Sequence, residues 1–151
     1  MEEWSIRLGI NIEHNNSLNI DEVFEKKGFV TASFENLINW NQPIIICEGV
    51  FDAMAIRRNA IPILGKNISK ALLKKIVSSK VKEIYIALDK DALKKAVKFC
   101  EQFISMGKKV YLVDMEEKDP SEMGFQSFTN HIQDAEELDL SSLLQYKLNL
   151  L

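Results

Sequence analysis

Three of the four short apolar runs in the middle of this chain end in acid. Ile44-Ile45-Ile46-Cys47 leads into Glu48, with Asp52 four residues on; Tyr85-Ile86-Ala87-Leu88 leads into Asp89 and Asp91; Val110 to Val113 leads into Asp114, ahead of Asp119. Carboxylates are hard oxygen donors, and Mg²⁺ commonly takes one or two of them together with waters and phosphates. If the runs are parallel strands of one sheet, these acids meet on one rim and suit a magnesium site for phosphoryl chemistry. The two cysteines, Cys47 and Cys100, lie in apolar stretches and are too few for a disulfide framework or a zinc knuckle. Zinc is therefore not expected, and any metal would be oxygen-bound.

Each acidic cluster also has a purely structural explanation. Glu48-Gly49-Val50-Phe51-Asp52 fits a tight strand-to-helix turn, with Asp52 favouring the helix N-terminus through the dipole. Asp89-Lys90-Asp91 fits the cap region of the following helix. Asp119-Pro120-Ser121-Glu122 reads as an N-cap aspartate, a proline at the first helical position and a glutamate at the third, which is a capping box.

The elements that must position these residues follow from periodicity. After Pro43, short apolar runs alternate with stretches of helical spacing: strands at 44–47, 61–64, 83–88 and 109–113, and helices at about 51–59, 69–79 and from Leu93 to the stop at Gly107. That rhythm predicts an α/β fold, a parallel sheet of about four strands flanked by helices. Ahead of it, Trp4, Ile6, Leu8, Ile10 and Ile12 alternate as in a half-buried strand, a short helix is expected around Asp21 to Lys27, and Ser33 to Trp40 has room for a helical turn. Residues 1–42 are thus expected to form an extension packed on the core, 43–137 the main domain, and 138–151 an amphipathic helix carrying Leu140, Leu143, Leu144 and Leu148.

Length and charge bound the rest. The 151 residues suit one domain, and the composition, 46% hydrophobic and 27% charged, is that of a globular chain. No apolar run approaches the roughly 18 residues of a membrane span, and the acidic start lacks the positive region of a secretory signal, so no membrane partner and a cytoplasmic location are expected. The net charge of −3 conceals strong asymmetry: residues 1–56 carry 3 basic and 9 acidic side chains, 57–109 carry 14 and 4, and 110–151 carry 2 and 9. A phosphate partner responds to the local potential of the basic middle third rather than to the total. Arg57 and Arg58 follow the first motif, and Lys94, Lys95 and Lys98 lie on the polar face of the helix after Asp91, where they could meet phosphates. With 16 lysines to 3 arginines, point-charge contacts are favoured over bidentate base reading.

Taken together, the sequence Ile44-Ile45-Ile46-Cys47-Glu48-Gly49-Val50-Phe51-Asp52-Ala53-Met54, then Ile86-Ala87-Leu88-Asp89-Lys90-Asp91, then Lys118-Asp119-Pro120-Ser121-Glu122, resembles the Toprim fold family, and its primase branch most. Phe51-Asp52-Ala53 and the earlier Lys27-Gly28-Phe29 carry the primase likeness, and the resemblance runs from Lys27 to Gly124. It implies a Mg²⁺-dependent domain, with Mn²⁺ as a substitute, in which Glu48 is the general acid or base and also a metal ligand. Asp89 and Asp91 hold metal, Asp52 supports catalysis, and Asp119 supports the metal. In primases such a site joins nucleoside triphosphates on a single-stranded DNA template to make RNA primers. Two departures stand out: Ala92-Leu93-Lys94-Lys95 runs where the family has a glycine, and Ser121 stands where primases often carry another acid. The 40 or so residues ahead of the motif do not hold a zinc-binding domain and basic lobe, so a replicative helicase or zinc-finger partner is expected to supply template binding. A metal-dependent nuclease of the same family and a non-catalytic replication assembly module are the alternatives.

Overall fold

In a computed structural model of the chain, residues 34–65, 67–115 and 119–150 are described. The expected strand at Trp4 to Ile12, the helix near Asp21 to Lys27, Lys27-Gly28-Phe29 and Lys118 lie outside them. A helical turn at 34–37 comes first. Then β1 (Ile44–Cys47), α1 (Val50–Ile56), β2 (Ala60–Pro62), α2 (Lys70–Ser78), β3 (Glu83–Ala87), a 3₁₀ turn (Lys90–Ala92), α3 (Leu93–Ser105), β4 (Lys109–Leu112), α4 (Pro120–Asp134) and α5 (Leu140–Asn149) follow. No helix among the described residues is long and apolar enough to cross a membrane.

The four strands form one parallel sheet in the order β2-β1-β3-β4. The central strand β1 is buried at all four positions, which explains its unbroken Ile-Ile-Ile-Cys sequence: both of its faces must be apolar because both are covered. Since β1 connects outward to β2 while β3 connects outward to β4, right-handed crossovers place α1 on one face and α2 and α3 on the other. Packing agrees, with α4 lying on α1 and α5 on α3.

Local chemistry sets the helix limits. Ser69 caps α2 by accepting from the Leu72 N–H at 3.1 Å. α3 buries Ala96, Val97, Phe99, Cys100 and Phe103 against the sheet side. It stops where Gly107 turns to a φ of 77°, with its N–H on the Ile104 carbonyl and the Lys108 N–H on that of Phe103, the paired bonds of a Schellman ending. The first helix is shorter than expected, because Arg57 takes a left-handed conformation and closes α1 at Ile56. The N-cap at Asp119 opens a helix whose extent the periodicity did not reveal: α4 continues to Asp134, broken at Gly124, where φ is 77° and ψ 166°.

Candidate functional site

The site follows from strand register. Cys47 of β1 lies opposite Ala87 of β3, so Glu48 leaves one strand and Asp89 the neighbouring one within a residue of the same height. These two strands flank the point where the chain's winding direction reverses. The helices there depart to opposite faces and leave a crevice beyond the carboxyl ends.

The backbone of Glu48 is fixed from the β2 side. Past the end of β2, Ile63 donates to the Cys47 carbonyl at 3.0 Å and Leu64 to that of Glu48 at 3.1 Å. Leu64 does so from a left-handed conformation, φ 51°, uncommon for a residue with a branched side chain and a sign of a constrained turn. Below it the Cys47 thiol faces the Gly49 and Ile61 carbonyls, and burial, followed by the charge of Asp52, pushes its pKa well above the ordinary value. Cys47 is a packing group held protonated.

Asp52 and Asp119 are committed to the helix ends. Asp52, 7% exposed, accepts from the Gly49 N–H at 2.9 Å. A Cβ on Gly49 would lie 3.0 Å from that same Asp52 oxygen, so glycine suits the close approach of this carboxylate to the turn. Burial is the main cause raising the Asp52 pKa; the Gly49 and Ser121 N–H groups oppose it, and the charges of Asp119 and Glu48 add to it. Asp119 caps α4, its Oδ1 accepting from the Glu122 N–H at 2.8 Å and from the Ser121 hydroxyl at 2.7 Å. Ser121, standing where another acid was expected, thus serves the cap. The two aspartates join the N-termini of α1 and α4 beside the crevice.

Asp89 behaves differently. It occupies the cap position of the 3₁₀ turn but makes no side-chain cap bond, and its Oδ1 is buried without a hydrogen-bond partner. Burial, then the charges of Glu48, Asp52, Asp119 and Asp91, raise its pKa to about 6. A buried carboxylate oxygen with no donor, in the field of other carboxylates, is the kind of polar group that needs an explanation, and a bound cation would supply one. Asp91 is exposed at the mouth.

The basic residues separate sharply. Lys95, in the first turn of α3, donates from Nζ to Glu48 Oε1 at 2.9 Å and to the Gly65 carbonyl at 3.5 Å. Lys94 and Lys98 are exposed on the same helix. Arg57 and Arg58 are not brought to the acids: they follow the far end of α1, about 10 Å along a helix of this length, with their guanidinium groups 5.9 and 5.5 Å from the centroid of Phe125. Asp114 also departs from the cluster and lines a cavity of about 530 Å³ with Leu112, His131, Glu136 and Tyr146. In the sequence Lys94, Lys95 and Lys98 are equivalent; the pairing of Lys95 with Glu48 depends on the placement of α3 beside the crevice.

The model of the Toprim-like family matches residues 45–123, just over half of the chain. The chain belongs to the Toprim-like family. Its fold is similar to that in the crystal structure of the Aquifex aeolicus primase zinc-binding and RNA polymerase domains, with a TM-score of 0.56 and 24% sequence identity. The match takes in 85% of this chain and 36% of the primase chain, so this Toprim-like chain spans about a third of that protein. No curated protein sequence matches it significantly.

Among the described residues, no three acidic, histidine or cysteine side chains converge closely enough to form a ready-made metal shell. The donors present fit a Mg²⁺ ion that keeps most of its waters: one buried unpartnered carboxylate oxygen on Asp89, a second carboxylate across the crevice on Glu48, and a third at the mouth on Asp91.

Proposed function

We propose that this chain is a primase-type catalytic domain that performs Mg²⁺-dependent nucleotidyl transfer, joining nucleoside triphosphates on a single-stranded DNA template. The single observation that carries the reading is the buried, unpartnered Oδ1 of Asp89 at the β1/β3 crevice, set among four other carboxylates. A structural N-cap would have spent that oxygen on a backbone N–H, as Asp119 does.

In this reading Asp89, Asp91 and Glu48 hold the metal, and Asp52 and Asp119 keep the helix ends that frame it. A Mg²⁺ ion held there would supply charge neutralisation for the triphosphate in an in-line displacement. Glu48 stands at the end of a buried strand with its backbone fixed on the β2 side, so its carboxylate is positioned to take the proton of the attacking hydroxyl. Lys94 and Lys98, exposed on α3, provide phosphate contacts along the approach. Template binding and initiation draw on a partner, a replicative helicase or a zinc-finger protein.

The test is primer synthesis with single-stranded template, the four nucleoside triphosphates, Mg²⁺ or Mn²⁺ and a helicase or zinc-finger partner, run beside strand cleavage on the same DNA. We expect nucleotide incorporation that Glu48→Gln abolishes while Mn²⁺ binding survives. Metal-dependent cleavage without incorporation overturns the primase reading in favour of a nuclease. Neither activity, together with no Mn²⁺ binding, leaves an assembly module.

A further inference from the structure

A cation already stands inside the acidic crevice. Lys95 Nζ lies 2.9 Å from Glu48 Oε1, and in this pair the lysine is the more enclosed partner, its side chain 19% exposed against 36% for the glutamate. The ammonium is also shared with the Gly65 carbonyl at 3.5 Å, which draws the loop after β2 toward the first turn of α3. Among the described residues, no other basic side chain forms an ion pair with Glu48, Asp52, Asp89, Asp91 or Asp119.

The placement of Lys95 does not serve its own helix. A positive side chain in the first turn of α3 opposes the helix dipole, which favours acids at that end. Its four-carbon stem instead delivers a point charge to the crevice on a chain of rotatable bonds with no fixed fork.

Glu48 is the carboxylate that the reading given above assigns to both metal and proton. An ammonium at 2.9 Å already lies in direct contact with Oε1. We infer that Lys95 is a tethered competitor for the divalent ion, so that Glu48 serves one cation at a time and metal enters this carboxylate only as the ammonium swings away. The inference rests on the metal-site reading and assigns Lys95 a positioning role: it keeps Glu48 ion-paired in the metal-free protein and sets how readily the site loads. No proton or covalent bond is exchanged; one ionic contact is replaced by another.

Mn²⁺ affinity of the full chain, measured by calorimetry and by electron paramagnetic resonance of free Mn²⁺, tests this without reference to turnover. Lys95→Met keeps the length of the stem and removes the charge; Lys95→Arg keeps the charge. Removing the competitor is expected to tighten Mn²⁺ binding about two- to fivefold, the range that a partly exposed ion pair supports, while Lys95→Arg stays within that of the wild type. Unchanged or weaker binding by a folded Lys95→Met protein overturns the inference. Wild-type protein that binds no Mn²⁺ at millimolar concentration overturns the underlying metal reading instead. A second measurement covers a variant that fails to fold: reductive ¹³C-methylation of the wild-type lysines, with the Lys95 resonance assigned by its absence from Lys95→Arg. The resonance is expected to shift on Mg²⁺ titration, and a signal that saturating Mg²⁺ leaves unmoved overturns the proposal.

Discussion

Replacing Asp89 by asparagine should make the metal-free protein more stable at neutral pH. The carboxyl pKa is raised from 3.8 to about 6, chiefly by burial and next by the charge of Glu48. A raised carboxyl pKa means that the folded state holds its proton more tightly than the unfolded state. Between about pH 4 and pH 6 the unfolded chain ionises while the folded one resists, so stability falls as pH rises through that window and the full penalty persists above it. At about 1.4 kcal/mol for each tenfold change in proton affinity, the gap sets a ceiling of about 3 kcal/mol. Water still reaches part of the carboxylate, and screening brings the expected penalty to about 1 kcal/mol. Asparagine is the neutral analogue of the protonated acid. In EDTA the difference between Asp89→Asn and wild type should therefore be near zero at pH 3.5 and about 1 kcal/mol in favour of the variant at pH 7.5, or roughly 2–4 °C in Tm. Urea unfolding at a series of pH values measures it, and millimolar Mn²⁺ should raise the Tm of the wild type but not of the variant. A variant that is equally or less stable than wild type at pH 7.5, or that keeps the Mn²⁺ response, refutes the assignment of Asp89 as a strained, cation-seeking carboxylate.

Two other outcomes follow from the same geometry. Lys94→Ala combined with Lys98→Ala should weaken single-stranded DNA binding and flatten its salt dependence by about 0.7 in log–log slope for each phosphate contact removed; fluorescence anisotropy between 50 and 300 mM salt, about the range in which such contacts are lost, reads this directly. Gly49→Ala places a methyl group 3.0 Å from Asp52 Oδ2, so the carboxylate must give by a few tenths of an ångström and its bond to the Gly49 N–H weakens. It should cost about 1 kcal/mol, the usual loss for a helix cap, measured as a lower urea midpoint with an unchanged slope.

Much of this architecture was legible in the sequence because the physics of a parallel sheet is written locally. The run Ile44-Ile45-Ile46-Cys47 could be a central strand because no polar residue interrupts it, and the structure buries all four residues. The acids after Cys47 and Leu88 were conspicuous because ligands gather where such strands end. Asp119-Pro120-Ser121-Glu122 carried a cap in its residue order, and the cap is there at 2.8 Å. What could not be read depends on long-range placement. The departure of Arg57 from the helix required its left-handed conformation, and its distance from Glu48 follows from the direction of α1. The true length of α4 was hidden by Gly124, which breaks the periodicity while the chain resumes its helix. Lys94, Lys95 and Lys98 were indistinguishable as one polar face until the β1–β3 pairing put Glu48 within reach of just one of them.

The five acids are not equivalent members of one cluster, and the distinction bears on how the site works. Asp119 spends an oxygen on its own helix, and Asp52 on the turn that precedes its helix. Glu48 is held by Lys95, and Asp91 stands exposed at the mouth. Asp89 alone keeps a buried oxygen with no donor. Carboxylates near enough to raise the proton affinity of Asp89 repel it unless they are compensated, and hydrogen bonds or an ion pair meet part of that demand for Glu48, Asp52 and Asp119. The unmet part is concentrated on Asp89, which follows the strand neighbouring that of Glu48, the acid paired with Lys95. On the metal reading proposed above, a divalent cation held there would compensate Asp89 and compete with Lys95 for Glu48.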